Sequence, residues 1–274
     1  IDLRKTQNEI VSKINGKTFD IFIHSAGIHP TRENSNNDKI IKENNLILEK
    51  VEEIFKKSKK IVLISSFVNL IDYSNNIITE SNSLKLNKFD NSYKISKYHT
   101  EIFFLNLKKK YKKELIIIYP CHVIGPEDKR LSPNGSYINS ITKKSINFYF
   151  DIYYPVTDVR EISNYIHFII NKDLNFHKKI ILTKSIKMID LIKKIEKRYS
   201  MNIRLFKFYG YFFVMINFFL NKFFFINKNF FSISTLKFIK LDPKIISKTN
   251  NRYLNKYVVD ETITDTLSFF KNHE

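Results

Sequence analysis

Three short apolar runs do most to constrain how this chain folds. They span residues 19–24, 60–64 and 115–119. Each run is short and stops at small or turn-forming residues, which favours a buried strand. Residues 38–58 and 93–105 lie between the runs and carry apolar residues at helical spacing. Apolar strands that alternate with helices predict a parallel sheet covered on both faces, in the α/β class.

Small or polar residues follow each predicted strand. They are Ser25-Ala26-Gly27, Ser65-Ser66 and the segment from Pro120 to Val123. The carboxyl ends of parallel strands meet at one edge of a sheet, and ligands of open α/β sheets bind there. Small residues such as Ala26 and Gly27 let a flat ligand approach the backbone. Taken alone, however, the turn after the first strand is better explained as an ordinary connection.

Tyr93 and Lys97 are four residues apart in a run without Gly or Pro, which predicts a helix over residues 93–105. Residues four apart share one face of a helix, so the ammonium group would lie beside the phenol. A tyrosine ionises near pH ~10, and a fixed cation lowers that pKa because it stabilises the phenolate. Such a tyrosine can exchange a proton with a substrate hydroxyl or carbonyl group. Without supporting motifs, the spacing more often belongs to two ordinary surface residues.

The charge balance bears on the class of partner. The formal net charge of +19 is typical of proteins that bind nucleic acid or anionic membranes. The lysines are spread through the whole chain together with abundant Asn, Ile and Phe, which a biased genome composition explains. We therefore expect no nucleic-acid partner.

Cys121 is the single cysteine and the seven His form no spaced cluster, so we expect neither a disulfide nor a metal site. No secretory signal opens the chain, which predicts a cytoplasmic protein.

The stretch 206–231 is strongly aromatic, and its segment 208–226 is nearly long enough to span a membrane. Gly210, Asn217, Asn221 and Lys222 interrupt it, and a spanning helix tolerates a central lysine poorly. We favour a buried or interface-lying helix in a substrate-binding region. Peripheral attachment to a membrane surface through this stretch is the alternative.

Five motifs follow one another in a fixed order. They are His24-Ser25-Ala26-Gly27, Ser65-Ser66, Tyr93-Lys94-Ile95-Ser96-Lys97, the segment Tyr119-Pro120-Cys121-His122-Val123-Ile124-Gly125-Pro126-Glu127-Asp128, and Val156-Thr157-Asp158-Val159-Arg160-Glu161-Ile162. In this order they resemble the extended short-chain dehydrogenase/reductase superfamily, specifically the NAD-dependent epimerase/dehydratase group. The Gly125-Pro126-Glu127-Asp128 segment followed by Ser132-Pro133-Asn134-Gly135 is most similar to the dihydroflavonol-reductase-like branch, which includes the hopanoid-associated sugar epimerases.

The resemblance implies catalytic and cofactor-binding roles. Tyr93 would be the acid/base, and Lys97 would lower its pKa and hold the nicotinamide ribose. Ser66 would hydrogen-bond the substrate oxygen as charge develops, with Ser65 as the alternative. The further residues implied at the cofactor are Asp2, Leu3, Ala26 and Gly27 at the adenine side, Ser65, and Pro120 and Val123 behind the nicotinamide ring. His122 is either a cofactor contact or an ordinary loop histidine.

The resemblance also implies the architecture, a Rossmann-type doubly wound parallel sheet with a smaller, mostly helical C-terminal substrate region. The NAD(P)-binding domain would comprise residues 1–125, with 156–180 returning to it, and the substrate region residues 126–155 and 181–274. The family opens with a Gly-rich turn that holds the pyrophosphate, and no such turn occurs here. We therefore expect an N-terminally truncated domain which, made as written, would be poorly soluble and unable to bind dinucleotide.

The implied function is that of an NAD(P)-dependent oxidoreductase or epimerase that transfers hydride at a carbinol or carbonyl carbon. The expected cofactor is NAD or NADP, the expected substrate a nucleotide sugar, a sugar or an apolar ketone or alcohol, and the expected assembly a homodimer. The alternative is a non-catalytic relative that binds dinucleotide or acts as a scaffold. The missing Gly-rich turn favours that alternative, whereas the intact Ser66, Tyr93 and Lys97 oppose it. A basic protein associated with a membrane or nucleic acid is a third hypothesis.

Overall fold

The chain divides into two compact units in the computed structural model. The structure describes residues 6–27, 37–88, 90–129, 131–144, 148–173, 176–200, 206–208, 233–247 and 256–272. The first unit comprises residues 1–71, 80–120 and 164–181, and the second residues 72–79, 121–163 and 182–274. Each unit has its own sheet and its own buried core.

Helices and strands alternate through most of the described residues. In chain order they are α1 (Gln7–Ile14), β1 (Phe19–His24), α2 (Asn37–Glu49), α3 (Val51–Lys56), β2 (Ser58–Ile64), a 3₁₀ turn (Phe67–Leu70), β3 (Ile77–Ile78), α4 (Ser92–Tyr111), β4 (Glu114–Pro120), β5 (His122–Ile124), α5 (Pro133–Thr142), β6 (Phe148–Phe150), β7 (Tyr153–Asp158), α6 (Val159–Ile170), β8 (Phe176–Ile181), β9 (Lys184–Lys187), α7 (Met188–Tyr199), β10 (Phe206–Phe208), α8 (Ile233–Leu241), β11 (Lys244–Ile245) and α9 (Val259–Asn272).

Four parallel strands form the sheet of the first unit, in the order β1-β2-β4-β8. The first three are the apolar runs from which the sequence predicts strands. Their register places Ile23 opposite Val62 and Ile61 opposite Leu115. The predicted α/β fold with a parallel sheet is therefore confirmed.

Burial explains why the central strands are apolar without alternation. All five residues 115–119 of β4 have 0% exposure. Side chains alternate between the two faces of a strand, so both faces of β4 are covered. Phe104 of α4 covers part of the sheet, with its ring 5.8 Å from that of Phe55 and 6.3 Å from that of Phe22. By contrast, β1 pairs only with β2 among the described residues and leaves Ile23 42% exposed.

Helix α4 is long because nothing in its sequence interrupts it. The Asn91 side chain caps its first turn and accepts a hydrogen bond from the Lys94 amide at 2.9 Å. Its last turn carries Lys108, Lys109 and Lys110. Their positive charges stabilise the helix because they lie at the negative end of its dipole. The predicted helix over residues 93–105 is confirmed, and it extends six residues further, to Tyr111.

A buried ion pair fixes the start of α4. The Lys94 ammonium lies 3.1 Å from Asp90 Oδ2 and donates to the Ile71 carbonyl at 3.1 Å. The Asp90 carboxylate also accepts from the Asn87 amide at 2.7 Å. Both charged side chains are almost fully buried. This contact anchors the helix one residue beyond Tyr93.

We predict that Lys94→Met destabilises the protein by about 3–5 kcal/mol, because it leaves the Asp90 carboxylate buried without its cation. Chemical denaturation measures the free energy of unfolding. Lys109→Met, on the exposed side of the same helix, is the matched control and should change it by less than about 0.5 kcal/mol. Adding Asp90→Asn to Lys94→Met should recover part of the loss. A loss in Lys94→Met no larger than in the control would contradict the prediction.

The second unit packs helices α5, α7 and α9 against the three-stranded sheet β5-β7-β9. Strand β7 pairs in parallel with β5 and antiparallel with β9. The core includes Val156 of β7, Ile138 of α5, Leu191 of α7 and Ile263 of α9. The region predicted as mostly helical thus also contains short strands, which are too brief to give a clear period in the sequence.

A buried carboxylate ties the end of β7 to the last helix. Asp158 is fully buried and pairs with the Arg160 guanidinium at 2.7 Å, and it accepts a hydrogen bond from Thr262 Oγ1 at 2.7 Å. These two contacts hold the pKa of Asp158 below its usual range although burial acts in the opposite direction. The Arg160 guanidinium also lies 3.9 Å from the ring centre of Tyr257. One motif predicted from the sequence therefore organises the C-terminal part of this unit.

The aromatic stretch 206–231 falls mainly outside the described residues. Within the part of the chain that the structure describes, no helix combines the length and apolar character needed to cross a membrane. Peripheral membrane contact through this stretch stays a prediction.

Candidate active site

The candidate catalytic residues lie on two neighbouring elements of the first unit. Ser65 and Ser66 follow the last residue of β2, and the Ser65 amide donates to the Ile118 carbonyl at 2.8 Å, which continues the pairing with β4. The Ser66 side chain caps the 3₁₀ turn that begins at Phe67. Tyr93 and Lys97 lie in the first two turns of α4.

Tyr93 and Ser66 meet through a side-chain hydrogen bond. This contact joins the helix to the segment after β2. The sequence predicts that Lys97 lowers the pKa of Tyr93, but in the structure burial raises that pKa, and the hydrogen bond with Ser66 only partly opposes the rise. The expectation of a net lowering is therefore wrong for this structure, because loss of solvent around the phenol outweighs the favourable contacts.

Lys97 lies beside Tyr93, with its ammonium nitrogen 6.0 Å from the centre of the tyrosine ring. The ammonium donates a hydrogen bond to the Ile64 carbonyl, the last of β2, at 3.3 Å. Burial lowers the pKa of Lys97 to about 8, while the negative charge of Glu101 acts to raise it. Lys97 therefore changes its charge close to neutral pH, in contrast to an ordinary surface lysine.

The two serines have different surroundings. Ser65 is turned toward the interior, where its hydroxyl donates to Glu101 Oε2 at 2.8 Å and accepts from the Asn69 amide group at 3.1 Å. Ser66 is the serine beside Tyr93. This arrangement supports Ser66 over Ser65 for the contact with a substrate oxygen.

Glu101 is the central residue that sequence reasoning missed. It is fully buried and accepts hydrogen bonds from Ser65, from Asn69 Nδ2 at 2.9 Å and from the Tyr119 hydroxyl. The Lys178 ammonium lies 3.7 Å from its other oxygen, Oε1. A signal was present in the sequence, because Glu101 follows Lys97 by the same four residues that separate Lys97 from Tyr93.

The predicted adenine-side residues lie at the end of β1. Ala26 and Gly27 are exposed, as a turn that admits a flat ligand requires. A Cβ on Gly27 would lie 3.6 Å from Asn44 Oδ1, so the buried Asn44 of α2 is a further neighbour of this turn. Asp2 and Leu3 lie outside the described residues.

The predicted nicotinamide-side residues are divided between the units. Pro120 is the buried last residue of β4 in the first unit, whereas His122 and Val123 belong to β5 in the second. His122 is a strand residue and not a loop histidine. Its ring stacks on Tyr154 at 4.3 Å, and it hydrogen-bonds the Asn134 side chain. Burial lowers the pKa of His122 to about 4, so the ring is neutral at physiological pH.

His24, at the end of β1, is almost fully buried between aromatic rings. Its ring centre lies 5.0 Å from that of Phe104, and its Nδ1 atom has no hydrogen-bond partner among the described residues. Burial lowers the pKa of His24 to about 3, and the positive charge of Lys97 acts in the same direction. The imidazole of His24 is therefore neutral at physiological pH.

The next feature is the distribution of possible metal ligands. Across the described ranges, no three side chains of the His, Cys, Asp or Glu type come together as metal ligands. Cys121 is buried, and its backbone amide donates a hydrogen bond to Thr157 Oγ1 at 2.8 Å.

Comparison with known proteins agrees with the order of these motifs. The profile of the NAD dependent epimerase/dehydratase family matches residues 1–151, more than half of the chain. The chain belongs to this family. The prediction of the superfamily is thus confirmed, while the dihydroflavonol-reductase-like branch stays a prediction. No curated protein sequence matches the chain.

Several solved structures share the fold of this chain. UDP-glucuronic acid 4-epimerase from Bacillus cereus, in complex with NAD, has a TM-score of 0.72 and 12% identity, covering 100% of this chain and 80% of its own. UDP-glucose 4-epimerase from Thermotoga maritima, with UDP-glucose, has a TM-score of 0.69 and 13% identity, covering 97% and 82%. RMD from Pseudomonas aeruginosa, complexed with NADPH, has a TM-score of 0.68 and 14% identity, covering 99% and 87%. At these identities the likeness establishes the fold.

We predict that His24 makes the protein sensitive to acid. In the unfolded chain the His24 imidazole has its ordinary pKa of 6.5, whereas burial in the folded protein lowers this pKa to about 3. Below pH 6.5 the unfolded state therefore binds a proton at His24 that the folded state does not bind. The free energy of unfolding is unaffected by His24 above pH 6.5 and decreases as the pH falls below it. Between pH 7 and pH 5 the loss should be about 2 kcal/mol. His24→Leu should remove this part of the acid sensitivity while leaving the part due to His122, whose pKa is also lowered, and the exposed His167→Leu should keep both parts. Denaturation at both pH values measures it, and an equal loss in His24→Leu and in the unchanged protein would refute the assignment.

Proposed function

We propose that this protein uses NAD or NADP to transfer hydride at a carbinol or carbonyl carbon of a nucleotide sugar, with Tyr93 as the acid/base. The observation that carries the proposal is the meeting of Tyr93, Ser66 and Lys97 where β2 ends. Family membership supports the general reaction class. The solved structures of the same fold hold NAD, NADPH and UDP-glucose, which supports a nucleotide-sugar substrate.

The residues of the first unit fit a nicotinamide cofactor. Ala26 and Gly27 are small and exposed where β1 ends, and they would line the adenine side. Lys97 keeps part of its surface exposed and offers an ammonium donor suited to ribose hydroxyls. When bound, the cofactor supplies the hydride donor or acceptor. We propose that the first unit binds the cofactor, with Pro120 behind the nicotinamide ring. His122 and Val123 stay predicted cofactor contacts.

The reaction assigns a separate task to each side chain. In the reducing direction Ser66 donates a hydrogen bond to the carbonyl oxygen, which stabilises the negative charge that develops there. Tyr93 then gives its proton to that oxygen. Because burial raises the pKa of Tyr93, the phenol is the form present at neutral pH, and this form can donate. The oxidising direction is the reverse transfer and requires the phenolate of Tyr93 to take the hydroxyl proton, so the Lys97 ammonium has to stabilise this phenolate against the effect of burial.

Replacing the acid/base should separate binding from turnover. In the full-length natural protein we expect Tyr93→Phe to bind NADH or NADPH normally but to lower kcat by about 10²–10⁴-fold. Ser66→Ala should lower kcat by roughly 10²–10³-fold. Tyr98→Phe, one turn along α4, is the matched control. Cofactor fluorescence titration and turnover of a panel of UDP-sugars measure both properties.

The outcomes separate the competing hypotheses. Wild-type activity in Tyr93→Phe would overturn the proposed role. A wild-type protein that binds cofactor but turns over no substrate would instead support the non-catalytic, dinucleotide-binding alternative. A protein that binds neither cofactor would refute the proposed function as a whole.

The pH dependence of turnover should report on Lys97. Its pKa of about 8 means that the ammonium is lost as the pH rises through that value, so kcat/KM should fall above about pH 8. In Lys97→Arg the charge persists at high pH because a guanidinium stays protonated, so whatever activity remains should lack this decline. A profile from pH 6 to 10 for both proteins measures it. An identical decline in both would show that another group titrates.

A further inference from the structure

We infer that Glu101 is a positioning residue that keeps Lys97 in its charged form and holds the Ser66 segment against helix α4. The inference rests on the function proposed for Lys97 and Ser66. It extends that function to a residue which, as a fully buried side chain, we do not place in contact with substrate or cofactor.

The geometry supports the positioning role first. Glu101 is on α4, and it binds Ser65 at the end of β2, Asn69 in the 3₁₀ turn and Tyr119 on β4. Ser65 directly precedes Ser66, so its bond to Glu101 fixes the chain segment from which Ser66 reaches Tyr93. A single carboxylate thus joins three segments around the site, and removing it would leave several buried donors without an acceptor.

The hydrogen-bond partners of Glu101 indicate that its side chain is a negatively charged carboxylate. A hydroxyl, an amide group and a phenol donate to Glu101, and the Lys178 ammonium lies 3.7 Å from Oε1. An ionised carboxylate has acceptor sites only, so a set made entirely of donors matches it. Tyr93, Lys97 and Glu101 also recur at four-residue intervals, which places them along one face of α4.

The charges that face Lys97 differ in their effect. His24, on β1, is neutral and buried, so it contributes no stabilising charge. Tyr93 is present as the phenol, because burial raises its pKa. Glu101 is the group whose negative charge raises the pKa of Lys97 against the effect of burial. The Lys178 ammonium lies 3.7 Å from this carboxylate and partly neutralises it.

A direct titration of Lys97 tests the inference without requiring activity. Carbon-13 NMR of protein labelled at the lysine ε-carbons follows each ammonium group, and the signal missing from Lys97→Arg identifies Lys97. Glu101→Gln preserves the size and acceptor oxygen of the side chain but removes its charge. We expect it to lower the titration midpoint of Lys97 by about one pH unit. Lys178→Met should move the midpoint the other way, because it removes a competing cation from Glu101.

Tyr119→Phe is the matched control for the hydrogen bonds. It removes one donor to Glu101 but keeps the carboxylate, so the Lys97 midpoint should stay where it is. Turnover of a UDP-sugar should follow the same order, with the decline at high pH displaced downward in Glu101→Gln and unchanged in Tyr119→Phe. A Lys97 midpoint in Glu101→Gln equal to that of the wild type would overturn the inference. An equal shift in Tyr119→Phe would also overturn it, because hydrogen bonding and not charge would then be the cause.

Two further outcomes keep the tests independent. If Glu101→Gln does not fold, as judged by circular dichroism, Lys178→Met decides the question, and an unchanged midpoint there overturns the inference. If the wild type binds no cofactor and turns over no substrate while the Lys97 midpoint shifts as expected, the proposed function fails but the electrostatic role of Glu101 stands.

Discussion

The parallel pairing of β2 with β4 is the constraint on which the rest of the first unit depends. These strands are apolar on both faces, so they form the centre of the sheet and require helices on either side. Their register places Ile64, the last residue of β2, opposite Ile118 of β4. The next residues along the two chains, Ser65 after β2 and Tyr119 within β4, therefore come close enough to share one carboxylate. The position of Glu101 on α4 then follows from the sheet.

Most of the first unit could be predicted because its signals are local. Continuous apolar runs identify β1, β2 and β4, and an uninterrupted helical pattern identifies α4. The relation between Tyr93 and Lys97 needs only the geometry of a helix. The second unit was less predictable, since β5 has only three residues and β7 contains a proline. Such short strands depend on neighbours that are distant in sequence.

The candidate site shows where sequence reasoning stops. The presence of Tyr93, Ser66 and Lys97 could be predicted from the motif order, but the direction of the Tyr93 pKa could not, because it depends on how completely the folded chain excludes water. The burial of Glu101 was missed for the same reason. A glutamate near the middle of a lysine-rich helix is usually a solvated residue, and only the partners from β2 and β4 reveal that it is not.

The helical spacing of Tyr93, Lys97 and Glu101 also limits how this part of the chain can change over time. One inserted or deleted residue between Tyr93 and Glu101 would rotate the rest of α4 by about 100°. The phenol, the ammonium and the buried carboxylate would then point in different directions, even though every residue type was still present. A change in the length of this segment therefore displaces all three groups at once, whereas a substitution within it alters one position at a time. Members of the family that preserve the reaction should differ in length in the loops before and after α4, and not within it.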